Sequence, residues 1–130
     1  MIVGKRITII GGSGGMGKVF GKFFQDHGFE VTFYARNEDK LKQAAIELNV
    51  HYELSLEKSV ENADMVMISI PINSTPDMIR KVGPFLKKNA LIFDITSLKK
   101  AVVNALIEIK NDFPVNCISL HPMFGPGISG

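Results

Sequence analysis

Six residues near the amino end, Gly12-Ser13-Gly14-Gly15-Met16-Gly17, fit the spacing G-x-G-x-x-G. The chemistry of such a run is binding rather than bond-making. Glycines let backbone N–H groups approach an anion closely, above all a pyrophosphate. Further on, "FYARNEDK" sets Arg36 beside the small Ala35 and before Asn37. A guanidinium there offers a fork of donors to a phosphate. Near the other end, "SLHPMFGPG" carries His121, whose unperturbed pKa lies near neutrality and whose backbone Pro122 restrains. It is the best acid–base candidate, although pattern alone fits a structural loop histidine equally well. Ser97 could orient it or cap a following helix, and Lys99 could hold an anionic group or be solvated. His27, at a helix end before Gly28, reads as structural, and His51, on a weak strand, reads as surface. Cys117 alternates inside what reads as a central strand and fits core better than nucleophile.

These residues need elements to position them, and the hydrophobic pattern supplies a regular alternation. "RITII" (6–10) reads as a buried strand, followed by helical spacing over 15–27 with Met16, Val19, Phe20, Phe23, Phe24 and His27 on one inward stripe. "EVTFYA" (30–35) is a second strand, and Asn37 caps a helix over 38–48 with Leu41, Ala45 and Leu48 inward. "VHYE" (50–53) is a weak third strand, and Ser55 caps a short helix to about Asn62. "DMVMISI" (64–70) is a fourth strand, ended by Pro71. Ser74 or Thr75, with Pro76 and Asp77, starts a helix that Gly83-Pro84 ends or kinks. "ALIFDI" (90–95), a helix over 98–109 with Leu98, Val102, Ala105, Leu106 and Ile109 inward, and "VNCISL" (115–120) complete the series. Six strands alternating with helices predict a doubly wound α/β fold, a mostly parallel sheet with helices on both faces.

Composition excludes several classes. A length of 130 residues fits one domain, and 45% hydrophobic with 22% charged is an ordinary globular balance. A net charge of +2 without a block of like charges argues against nucleic acid and anionic membranes. A single cysteine cannot form an internal disulfide, which points to a reducing, cytoplasmic setting. No apolar run approaches a membrane span, and no metal site is expected.

In this context the glycine loop gains meaning, because it follows a buried strand and opens an amphipathic helix. Gly12 is then expected to permit the tight turn and Gly14 the approach of a pyrophosphate. Gly17 with Gly21 lets the helix press on the sheet. An NAD site usually has an acid at the end of the second strand, where this chain has Ala35. Absence of the acid together with Arg36 and Asn37 favours NADP over NAD. Ligands in this architecture lie outside the carboxyl ends of the strands. The crevice is therefore expected among Ser69, Pro71, Asn73, Asp94, Thr96, Ser97, Lys99 and His121.

Four runs together carry a resemblance: "GGSGGMGKVF" (11–20), "SIPI" (69–72), "DITSLK" (94–99) and, most discriminating, "HPMFGP" (121–126). Over essentially all its length the chain resembles the N-terminal, nucleotide-binding domain of the prephenate dehydrogenase family, which includes the arogenate dehydrogenases. The resemblance implies a Rossmann-type sheet of strand order 3-2-1-4-5-6, with Ile70, Pro71 and Ile72 beside the cofactor. It implies oxidative decarboxylation of prephenate to 4-hydroxyphenylpyruvate, in tyrosine biosynthesis. His121 matches the base that takes the 4-hydroxyl proton as hydride departs, and Ser97 matches its hydrogen-bonding partner. Lys99 matches a substrate-side motif position, as does Asp94, with less defined roles. Many family members carry an acid where Ala35 stands, a departure that supports NADP here. The family also implies a helical second domain that completes the substrate site and the homodimer, and which these residues do not include. Alone, the chain is expected to bind dinucleotide and turn over slowly or not at all. The glycine loop by itself is also compatible with deazaflavin-dependent or β-hydroxyacid dehydrogenase-type NADP enzymes, or with a non-catalytic NADP-binding module.

Overall fold

The computed structural model describes residues 5–94 and 100–119. Its strands are β1 (Arg6–Ile10), β2 (Glu30–Tyr34), β3 (His51–Tyr52), β4 (Met65–Ile68), β5 (Leu91–Asp94) and β6 (Asn116–Ser119). Its helices are α1 (Gly15–Asp26), α2 (Glu38–Leu48), α3 (Leu56–Val60), α4 (Thr75–Val82) and α5 (Lys100–Asp112). All strand pairs are parallel, in the order β3-β2-β1-β4-β5-β6. A parallel sheet must be covered on both faces, so its strands are apolar throughout. Ile7, Ile9, Val31, Phe33, Met67 and Phe93 pack under α1 and α2. Ile10, Val66, Ile68 and Ile92 pack under α3, α4 and α5.

Side chains that bond their own backbone start two of these helices. Asn37 Oδ1 accepts from the Lys40 amide at 3.0 Å, and Ser55 Oγ accepts from the Lys58 amide at 3.3 Å. At the start of α4 neither candidate caps. Ser74 makes no side-chain cap, and a 3-10 turn over Ile72–Ser74 intervenes before the helix. β4 ends at Ile68, ahead of Pro71, and α5 runs past Ile109 to Asp112.

Two expectations need correction. In α1 the face pressed on the sheet is Gly17 and Gly21 with half-buried Phe20 and Phe24. Met16 (55% exposed), Val19 (63%) and Phe23 (50%) turn outward. His27 is also exposed, with its Nδ1 2.7 Å from the Phe23 carbonyl oxygen. Phe33, completely buried, fills the space that the glycines leave: a Cβ on Gly21 would stand 2.5 Å from its ring. Cys117 lies on β6 at the sheet's edge rather than in a central strand. Burial pushes its thiol up, so it stays protonated, consistent with a packing role.

At the amino edge of the sheet, Asp64 gathers three elements. Lys87 Nζ donates to it at 2.6 Å, the Arg6 amide donates at 2.8 Å, and its own carbonyl accepts from Leu91 N–H. The Lys87 ammonium, and next the Arg6 amide, hold its carboxyl below the usual range. A lowered folded pKa stabilises the fold above the unfolded value of about 3.9, and that contribution is lost as pH falls through the lower folded value. In urea titrations, the stability gap between wild type and Asp64→Asn is expected to be constant near neutrality and to close in acid below about pH 3.9. Gly21→Ala is expected to cost about 1–3 kcal/mol by overpacking against Phe33, although alanine favours helix by about 1 kcal/mol. Gly15→Ala, whose Cβ meets nothing within 4 Å, is expected to be neutral or mildly stabilising in the same assay.

Candidate functional site

A cleft of about 340 Å³ opens at the carboxyl ends of β1, β2 and β4. The end of β1 contributes Ile10 to its lining, the β1–α1 loop Gly11, Ser13 and Gly14, and the end of β2 with the residues just after it Tyr34, Ala35 and Arg36. The stretch after β4 contributes Ser69, Ile70 and Pro71, with Ser74 and Met78 closing the far wall. Strand order explains the place. Connections from β1 and β4, adjacent at the sheet's centre, leave to opposite faces, and a crevice remains between them.

The tight turn belongs to Gly11, not to Gly12 as the motif suggests. Gly11 has φ +95°, and its N–H donates to the Tyr34 carbonyl at 2.7 Å. A Cβ there would overlap the Ser69 carbonyl oxygen. Gly12 is buried against the Phe33 ring, so its lack of a side chain serves packing. Gly17 packs against the Gly11 carbonyl, as expected for a helix drawn close to its own loop.

This loop presents the amino end of α1 to the cleft. Gly14, at the N-cap, supplies no capping side chain, and the first turn holds no acid. The first-turn amides of Gly15, Met16 and Gly17 have no acceptor within the helix, and the dipole's positive end sits with them. α2 differs, with Asn37 on its cap and Glu38 and Asp39 in its first turn. Across the cleft, Arg36 is exposed and forms no ion pair among the described residues. The arrangement is a cationic, donor-rich rim beside a largely apolar lining that includes Ile10, Ile70 and Met78, suited to a ligand with phosphates and a flat apolar part.

Of the residues the motifs single out beside a cofactor, Ser13, Gly14, Ala35, Arg36, Ile70 and Pro71 line this cleft. Gly12, Gly15, Met16, Gly17, Asn37 and Ile72 frame it without lining it. Of the expected crevice, Ser69 and Pro71 are in place, Asn73 is outside the lining, and Asp94 is fully buried at the end of β5. Thr96, Ser97, Lys99 and His121 lie outside the described residues. The strands that precede them end side by side, Asp94 paired in register with Ser119. Ile10, Gly11, Tyr34, Ser74 and Met78 were not legible as lining. Only Gly11 carried a signal, as the first glycine after an apolar strand.

The fold and cleft define a nucleotide-binding α/β domain of the dehydrogenase type. Residues 20–130 match the family model described as prephenate dehydrogenase, nucleotide-binding domain, and the chain belongs to that family. It is 36% identical over 120 residues to a probable arogenate/prephenate dehydrogenase of Methanocaldococcus jannaschii, covering 92% of this chain and 27% of that protein. It is 28% identical over 124 residues to the T-protein of Haemophilus influenzae, covering 95% of this chain and 28% of that one. The chain thus spans about a quarter of the length of these curated relatives. Among solved structures it superimposes on prephenate dehydrogenase from Aquifex aeolicus with a TM-score of 0.74 at 26% identity, covering 92% of this chain and 43% of that one.

A methyl on Gly14 would meet only the Gly11 carbonyl oxygen, at an ordinary 3.5 Å. Gly14→Val is therefore expected to melt at the wild-type temperature but to bind dinucleotide at least about tenfold more weakly, because bulk replaces the close approach of backbone to phosphate. Calorimetric melting beside fluorescence titration checks both halves.

Proposed function

We propose that this chain is the NADP-binding half of a prephenate or arogenate dehydrogenase. The observation that carries the cofactor reading is one cleft holding both an uncapped helix amino end and, where an NAD site would carry an acid, Ala35 and Arg36, which forms no ion pair among the described residues. The helix end receives the pyrophosphate through the amides of the 12–17 loop, while Arg36 and Asn37 receive the ribose 2′-phosphate. Asn37 spends its side-chain oxygen on the α2 cap, so it serves through its amide N–H groups. Ile70 and Pro71 form the wall beside the nucleotide, and Ile72 follows them outside the lining. The A. aeolicus prephenate dehydrogenase was solved with NAD+ and hydroxyphenyl propionate, so the family's site admits the unphosphorylated dinucleotide, and the preference here rests on Ala35 and Arg36.

The chemistry follows family membership and the resemblance of the 94–99 and 121–126 runs. The bound nicotinamide accepts a hydride from the substrate carbon bearing the 4-hydroxyl. His121 takes the hydroxyl proton as that hydride leaves, with Ser97 holding the imidazole and the hydroxyl in line. Loss of carbon dioxide then aromatises the ring, and the proton returns to the phenolate oxygen. Lys99 faces an anionic substrate group, and a further helical domain of the complete enzyme supplies the remaining cation and the homodimer contacts. The adjacency of β5 and β6 supports placing Ser97, Lys99 and His121 in one crevice, each within a few residues of a paired strand end.

Titration of the purified chain with NADPH and NADH, followed by nicotinamide fluorescence, tests the cofactor assignment. NADPH is expected to bind at least about tenfold more tightly, and Arg36→Ala to remove most of that advantage, as loss of a charge-assisted contact worth about 1.5–3 kcal/mol would do. Equal affinities for the two in the wild-type chain would overturn the NADP assignment.

A further inference from the structure

The Ile70–Pro71 wall of the cleft belongs to no regular element. β4 ends at Ile68, and the next helical turn begins at Ile72. The Ser69 amide is tied to the sheet through the Ile10 carbonyl at 2.8 Å. Beyond Ser69 the carbonyls are held from the other side. The Pro71 carbonyl accepts from the Ser74 amide at 2.9 Å. Thr75 Oγ1 stands 3.2 Å from that same carbonyl and 3.4 Å from the Ile70 carbonyl, so a single hydroxyl proton is shared between them.

Thr75 is an unusual place to spend a hydroxyl. It is completely buried, and it does not line the cleft. A threonine at the N-cap would accept an amide of the first turn, but Thr75 follows the N-cap Ser74 and is the first residue inside α4. Here it donates backward, to residues four and five earlier, and α4 begins without a side-chain cap. The bond is therefore directed at the shape of the loop rather than at the helix. We infer that Thr75 is a positioning residue for the dinucleotide cleft, latching the Ile70–Pro71 wall to α4 so that it is formed before ligand arrives. The inference rests on the cofactor reading above. A preformed wall spares the ligand the cost of ordering it, and that saving appears as affinity.

The test compares Thr75→Val, which keeps the shape and loses the hydroxyl, with Thr75→Ser, which keeps the hydroxyl and loses a methyl. NADPH affinity, melting temperature and amide exchange are measured on the chain as it stands. Thr75→Val is expected to weaken NADPH about three- to tenfold, the worth of one hydrogen bond. Amide exchange should quicken at residues 69–74 but not in β1 or β4. Thr75→Ser is expected to restore affinity and loop protection even where its lost methyl lowers the melting temperature. Unchanged affinity in Thr75→Val would overturn the inference, and so would an affinity loss that tracks melting temperature through both variants. Should Thr75→Val fail to fold, Thr75→Ser decides alone: wild-type affinity at a lowered melting temperature supports the latch, and affinity falling with stability overturns it. Failure of the wild-type chain to bind either dinucleotide would instead overturn the cofactor reading, so the two failures are separable.

Discussion

The cleft at the carboxyl ends of β1, β2 and β4 depends on backbone touching backbone at Gly11. Its Cα lies so near the end of β4 that any side chain would enter the Ser69 carbonyl, and its own carbonyl packs against Gly17 in α1. Such contacts contribute little energy individually, but they admit no alternative residue, and interiors do not deform to make room. By drawing the loop down, they set the amino end of α1 over the sheet rather than beside it. They also draw the segment after β4 in as the facing wall. The cleft is the space left when three chain segments approach as closely as glycine allows.

The same closeness explains where the reading of the sequence succeeded and where it failed. Strand positions and the parallel sheet were legible, because each strand is an apolar run and each helix a change of period between two runs, while the strand order came with the family resemblance. The inward face of α1 was not. Periodicity weighs apolar bulk, and Met16, Val19 and Phe23 outweigh two glycines. In the fold, the helix sits at a distance that only Gly17 and Gly21 permit, and the apolar volume at that contact comes from Phe33 on β2. Once the glycine face is inward, residues on the flanking stripe must turn out. Bulk on one element was thus replaced by bulk on another, and no single-helix pattern contains that exchange.

The glycine motif misled in a smaller way, by one residue. Its spacing assigns the turn to its first glycine, yet Gly11 takes the left-handed φ while Gly12 serves packing on Phe33. Two adjacent glycines can share the two tasks, and sequence alone cannot apportion them. The start of α4 shows a related ambiguity. A Ser-Thr-Pro-Asp run reads as a cap, but the 3-10 turn before the helix satisfies the Ser74 amide through the Pro71 carbonyl. The hydroxyl of Thr75 is then free to bond backward.

Among the helix starts that line the cleft, α1 alone has neither a capping side chain nor a first-turn acid, since α4 carries Asp77 in its first turn. α2 and α3 each start with a side-chain oxygen on the cap and an acid in the first turn, which uses the helix dipole internally. α1 has neither, and a protein that left its dipole unanswered without purpose would forgo stability that one aspartate could supply. Leaving it open beside Arg36, which no described acid neutralises, concentrates positive potential in one place. Other surface cations divide: Arg6, Lys18, Lys22, Lys42, Arg80 and Lys87 each face a carboxylate, whereas Lys5, Lys40, Lys58, Lys81, Lys88, Lys100 and Lys110, like Arg36, form no ion pair among the described residues. What distinguishes Arg36 among the unpaired cations is its place: it lines the cleft, where the helix end with neither cap nor acid also lies.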